Sequence, residues 1–326
     1  VIDFRYHIVS IVSIFLALAV GILLGAGPLQ EDLGKTLSSQ VETLRQEKTD
    51  LRTQLDAAQK QLDAGTEFAT EVTPALVASR LGGRSIALVT LPGADNDVVT
   101  ALTKVLTASG ATVNGPVAIT SAWTDPAKRS SREQLAASPT PDVSTSTTSS
   151  NDPNLSARLG DLLARALVVS TLTGAGRPSP AATQTLTALK QADLVSFDGD
   201  GPQVSTLAVV VAPSPDTGQP TDQRSAEVSA WTELARALDS ASGGSVVVGS
   251  TAVGGSDSAA TGGLIAAVRG DDALAKLIST VDHVGTPVGR IATVYALREQ
   301  LARGAGQYGV GSAASAVLPA LTVGGA

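Results

Sequence analysis

Arg84-Ser85-Ile86-Ala87-Leu88-Val89-Thr90-Leu91, running straight into Pro92-Gly93-Ala94-Asp95, decides the fold of most of this 326-residue chain. It is a nearly unbroken apolar run of strand length, closed by a turn. A strand that alternates would face water on one side; one that does not is buried on both, as in a parallel sheet covered by helices. Asp97 to Ala108 then places Val98, Leu102, Val105 and Leu106 on one helical face, and a second apolar run follows from Val113 to Ile119. Further runs stand at Leu207 to Ala212, Ser245 to Gly249 and Leu277 to Val281, separated by helical patterns at Ser225 to Leu238 and Leu264 to Val268. Strands that alternate with helices imply right-handed βαβ units. The expected fold class is therefore α/β, with a mostly parallel, Rossmann-like sheet over residues 67–309. Helical patterns at Leu155 to Leu172 and Ala181 to Ala192 predict a helical insertion covering that sheet. The Ser/Thr-rich stretch 138–153 reads as a low-complexity loop, Pro213 to Asp222 and Gly249 to Gly263 as surface connections, and 310–326 as a Gly/Ala-rich tail.

Toward the N-terminus the character changes. Ile8 to Ala26 reads IVSIVSIFLALAVGILLGA without a charge. As a helix it spans about 28 Å, close to the ~30 Å hydrocarbon core. Residues 1–27 thus read as a short cytoplasmic N-terminus and a transmembrane helix. A secretory signal is the other reading, because Gly25-Ala26-Gly27 would suit a cleavage site. Arg5 before the span, and the large domain after it, predict a single-pass plasma-membrane protein with the C-terminal domain outside. Ser13, Ala17, Gly21 and Gly25 recur every fourth residue, a small-residue face on which two membrane helices can approach closely.

Gly27-Pro28 ends that helix, and residues 28–66 read as a coiled-coil stalk. Apolar positions recur at spacings of four and three, with Val41, Lys48, Leu55 and Leu62 at a, and Leu37, Leu44, Leu51 and Ala58 at d. In a parallel pair, Glu47 at g faces Arg52 at e of the other helix, and no like charges meet. The stalk is expected either to form a homodimer or to complete its seam with a partner protein's helix.

Composition narrows the chemistry. A net charge of −7 with no basic run argues against a nucleic-acid partner. The chain has no cysteine, no methionine and only His7 and His283, so soft or imidazole-rich metal sites have few donors to draw on. The turn after the first strand lacks the Gly-x-Gly-x-x-Gly spacing, and no Walker lysine follows any strand. Asp282-His283 closes the last strand, but no Gly-x-Ser-x-Gly elbow accompanies it. The acidic pairs Asp198/Asp200 and Asp271/Asp272 sit in turns. No catalytic, cofactor-binding or metal-ligating residue is singled out, and the expectation is a protein that is not an enzyme and holds no cofactor.

The opening Ile2-Asp3-Phe4-Arg5-Tyr6-His7-Ile8-Val9-Ser10 and the closing Gly289-Arg290-Ile291-Ala292-Thr293-Val294 with Gln307-Tyr308-Gly309 resemble the actinobacterial MctB family, the mycobacterial copper transport protein B or "copper transporter" family. The order of parts between these ends is similar too. The resemblance implies one of two roles. One branch is described as an envelope channel that keeps copper low. The other, typified by corynebacterial SteB, implies work with a SteA-like membrane partner in cell separation, through coiled-coil contacts that control a peptidoglycan hydrolase. The scarcity of copper donors and the single span weigh toward the second role, a protein-binding regulator or scaffold, with copper homeostasis as the alternative.

Overall fold

The computed structural model describes residues 4–26, 28–137, 155–170, 176–199, 201–215, 218–250, 259–311 and 313–320. The low-complexity stretch 138–153 lies outside them. So do Gly27, Asp200 and the middle of the Gly/Ser-rich connection at 251–258. Contacts divide the chain into two units, 1–65 and 66–326.

The described residues of the first unit are all helical. Helix α1 (Phe4–Ala26) contains a stretch, Phe4–Leu23, that is long and apolar enough to cross a membrane, with mean hydropathy 2.3 and none of it buried against the chain. Helix α2 (Pro28–Val77) has 50 residues, about 75 Å at 1.5 Å per residue, and its last turns belong to the second unit. Along its polar side Gln46 donates to Asp50 and Gln59 to Asp63, four residues on. Such local pairs support a helix that has little else to lean on.

The second unit is a seven-stranded sheet in the order β3-β2-β1-β4-β5-β6-β7. Its strands are β1 (Ser85–Thr90), β2 (Thr112–Ile119), β3 (Val195–Ser196), β4 (Leu207–Val211), β5 (Ser245–Val248), β6 (Ser279–Val281) and β7 (Gln307–Tyr308). Every neighbouring pair is parallel except β2–β3. The apolar runs are buried on both sides, as their lack of alternation requires. Ile86, Leu88, Leu207, Val209 and Val211 face one core; Ala87, Val89, Ala208 and Val210 face the other. The first core is closed by the end of α2, by α3 (Asn96–Ala108) and by the last helix, α10 (Pro287–Leu301). The second is closed by α4 (Arg129–Ala137), α5 (Leu155–Leu167), α6 (Pro180–Gln191), α7 (Thr221–Ala241) and α8 (Ala259–Gly270). Each fully buried Leu, Ile or Val contributes roughly 1.5–3 kcal/mol. A short helix, α9 (Asp272–Ala275), precedes β6.

Several elements differ from their expected bounds. The helix expected to reach Leu172 ends at Leu167, because Val169 N–H donates instead to the Ser205 carbonyl beside the sheet. The run Leu277 to Val281 forms strand only from Ser279; Leu277 turns outward and is half-exposed. Helix α8 is longer than expected but broken at Gly263, whose φ of 67° and ψ of −155° leave the helical region. The two shortest strands, β3 and β7, have no run of their own in the sequence.

Candidate functional site

Three places carry the side chains that could do work: the open faces of α1 and α2, the carboxyl end of the sheet, and a buried polar cluster behind β6. On α1, Ser13, Ala17, Gly21 and Gly25 are exposed and share a face. The Ser13 hydroxyl is satisfied inside the helix by the Val9 carbonyl at 2.8 Å, and among the described residues a Cβ placed on Gly21 or Gly25 would meet nothing beyond the helix's own backbone within 4 Å. On α2, Leu37, Val41, Leu44, Lys48, Leu51, Leu55, Ala58 and Leu62 are all exposed. Its six Leu and Val residues at heptad positions are 45 to 68 % exposed. Among the described residues outside α1 the other large apolar side chains are mostly buried, so this row stands out as an exposed stripe.

At the sheet, β1 connects to β2 on one side while β4 lies on its other side, so the strand order reverses between β1 and β4. The crevice outside the carboxyl ends of such a pair is where open α/β sheets receive ligands. A cavity of about 340 Å³ lies here, between the Pro92-Gly93 turn after β1, the Pro213–Pro215 segment after β4, and side chains of α7 and α8. Gly93, at φ 82°, permits the turn, and its position leaves only van der Waals room beside Pro213. Asp95 caps α3 by accepting from Asp97 N–H at 2.8 Å and Val98 N–H at 3.4 Å.

The buried cluster joins residues far apart in sequence. Arg269, from the end of α8, donates to Asp282 Oδ2 at 2.8 Å, to Thr280 Oγ1 at 2.8 Å and to the Tyr308 carbonyl at 2.7 Å. Asp282 also accepts from Val310 N–H and Gly311 N–H, both at 2.9 Å. Burial pushes its carboxyl up, but contacts with His283, Val310 N–H, Arg269 and Gly311 N–H together outweigh burial and hold it below the ordinary carboxylate range. Gly309 lies against this carboxylate so closely that a Cβ would collide with it. Tyr308 hydroxyl donates to Glu299 at 2.5 Å; burial and that carboxylate push the phenol up.

His283 anchors backbone. Its carbonyl accepts from Thr286 N–H and Thr286 Oγ1, and Thr286 caps α10 by accepting from Gly289 N–H. A side chain on Gly289 would strike the His283 carbonyl, which explains the Gly-Thr-Pro-Val-Gly spacing of this turn. The imidazole Nδ1 lies 3.4 Å from Asp282 Oδ1, too long for a well-formed hydrogen bond, and both ring nitrogens are buried. Asp271 caps α9 through Ala273 N–H and Leu274 N–H. The partnership of Arg269 with Asp282 and the part played by Val310 and Gly311 escaped the sequence. Only the acidic residue at a strand end hinted at it, since nothing local marks an arginine thirteen residues upstream as its partner. Among the described residues no group of three or more His, Cys, Asp or Glu side chains converges as a metal would need.

Against known proteins, the family model described as "Copper transport outer membrane protein, MctB" matches residues 1–319. The protein named "Copper transporter MctB" from Mycobacterium leprae (strain TN) is 31 % identical over 339 aligned residues, which cover 97 % of this chain and 98 % of that protein. Its namesake from Mycobacterium tuberculosis (strain ATCC 25618 / H37Rv) is 28 % identical over 326 residues, with the same coverage.

Proposed function

The chain belongs to the MctB family, and from that we propose that it is a membrane-anchored, non-enzymatic envelope protein that serves copper homeostasis as one member of an assembly. The observation that carries this reading is likeness over nearly the whole length to proteins named copper transporters. It moves the weight from the cell-separation role, which the scarcity of copper donors had favoured, to the copper role. In this reading α1 holds the protein in the plasma membrane, with the N-terminus inside and the sheet domain outside. One helix cannot enclose a path for an ion, because a spanning pore needs several helices or a closed barrel. The chain also has neither cysteine nor methionine to bind Cu(I). Copper would therefore be cargo of an oligomer or of a partner, and the chain's share is to assemble it.

The surfaces for assembly are the heptad stripe of α2, read as a parallel coiled coil, and the Gly21/Gly25 face of α1. The deciding experiment measures copper content and growth of a deletion strain across a copper series. Expected is copper accumulation and sensitivity, reversed by the wild-type gene but not by a Leu44→Asp/Leu51→Asp double mutant. A deletion strain with unchanged copper content would overturn the proposal.

The exposed stripe also favours a second reading, regulation of cell separation through a SteA-like membrane partner and the coiled coil of a peptidoglycan hydrolase. Chains of unseparated daughter cells at ordinary copper, with copper content unchanged, would put this reading first.

A further inference from the structure

We propose that the crevice between the carboxyl ends of β1 and β4 is a binding site for a neutral sugar ring. Its lining is chemically mixed. The rings of Pro92, Pro213 and Pro215, with the small exposed part of Trp231 (6 % exposed), supply rigid apolar surface, and Gln219 and Glu227 supply polar groups on the same cavity. Gln219 Nε2 donates to Glu227 Oε1 at 2.8 Å. That bond holds a planar amide beside a planar carboxylate and leaves Gln219 Oε1 and Glu227 Oε2 as acceptors, while the Gln219 main-chain carbonyl accepts from the Arg224 guanidinium. Paired planar acceptors match adjacent hydroxyl groups, while the C–H face of a pyranose suits proline and tryptophan surface. The volume of about 340 Å³ falls at the small end of the ~300–1,000 Å³ usual for ligand pockets.

Other ligand classes fit worse. Nucleotides at this position rest their phosphates on the helix that follows the first strand. Here Asp95 already occupies the amides of Asp97 and Val98 and brings a negative charge to that spot. A wholly apolar ligand would strip water from the Glu227 carboxylate without replacing its hydrogen bonds, which is costly. The lining carries one arginine, Arg224, and one glutamate, Glu227, so it favours neither anion nor cation.

The test uses the full chain in a detergent without a sugar headgroup. A Trp123→Phe background leaves Trp231 as the sole tryptophan reporter. N-acetylglucosamine, its linear tetramer and glucose are titrated, with AMP and inorganic phosphate as contrasts. The expected result is a saturable change in Trp231 fluorescence with at least one sugar. Glu227→Ala should weaken it about tenfold or more, the loss of roughly 1.4 kcal/mol. Ser214→Leu, at the exposed mouth, should weaken it by obstruction. Thermal melting checks that each variant is folded, and Glu227→Gln, which keeps the shape, serves if the alanine variant is not. No saturable response to any sugar, an equal response in the Glu227 variants, or a response to AMP or phosphate alone would overturn the proposal.

Discussion

Asp282 is buried and Asp239 half-buried, and their surroundings drive them in opposite directions. Asp282 meets a guanidinium and two backbone N–H groups and is held low. Burial pushes Asp239, near the carboxyl end of α7, up to about 6, against the lowering effect of the Ser245 hydroxyl at 3.0 Å and the Ser245 backbone N–H. The signs follow by linkage. The stabilisation from Asp282 is complete above the ordinary carboxylate pKa and is lost as pH falls below it. That from Asp239 is complete below its ordinary 3.8 and is lost as pH rises through about 6. Asp239→Asn should therefore stabilise the protein at pH 7 by up to about 3 kcal/mol and confer nothing near pH 3.5, which thermal melting at the two pH values would reveal. Arg269→Ala should cost about 3–5 kcal/mol, because it strands the Asp282 charge in the interior. A melting temperature within a degree or two of wild type would show that the pair contributes little.

Among the elements, α5 and α7 approach closely because Gly160 has no side chain. A Cβ there would stand 3.2 Å from Ala237 Cβ and 3.3 Å from Leu234 Cα. Backbone on one side gives no way to yield, so Gly160→Val should destabilise by roughly 1–3 kcal/mol, read from denaturant midpoints. Helix α2 poses the reverse case, since among the described residues its apolar row stays exposed. If that row is a seam, Leu44→Asp with Leu51→Asp should abolish crosslinking between α2 and its mate while the sheet domain melts unchanged. Crosslinking equal to wild type would refute the seam.

For the molecule as a whole, the C-terminal segment ties the last strand to the core. In β7 the Tyr308 carbonyl accepts from Arg269, and beyond it Val310 and Gly311 N–H donate to Asp282 and Gly309 N–H donates to the Ala316 carbonyl. Truncation after Gly304 removes all of these together with β7 and leaves a buried ion pair half-solvated. Its expected effect is a loss of several kcal/mol, visible as a large drop in melting temperature. An unchanged melting curve would mean the segment is only laid on the surface.

What could be read from the chain alone were the features written in local patterns. The apolar span, the 3.5-residue period of α2 and the doubly buried runs of β1, β4 and β5 each declare themselves within a few turns or one strand. Burial on both faces removes alternation, and that signal survives without knowing the neighbours. The family likeness was likewise read from local stretches, Ile2–Ser10 and Gly289–Val294 with Gln307–Gly309. Tertiary structure alone decided the rest. β3 and β7, at two residues each, are strands only because an existing edge pairs with them. Arg269 and Asp282 meet only because α8 returns across the sheet beside β6. The crevice exists because strand order reverses between β1 and β4, and that order is set by which strands pair across more than a hundred residues. Local sequence governs dihedral preference and burial pattern; it does not encode which distant groups will share a desolvated space, and that space is where both the buried cluster and the crevice acquire their chemistry.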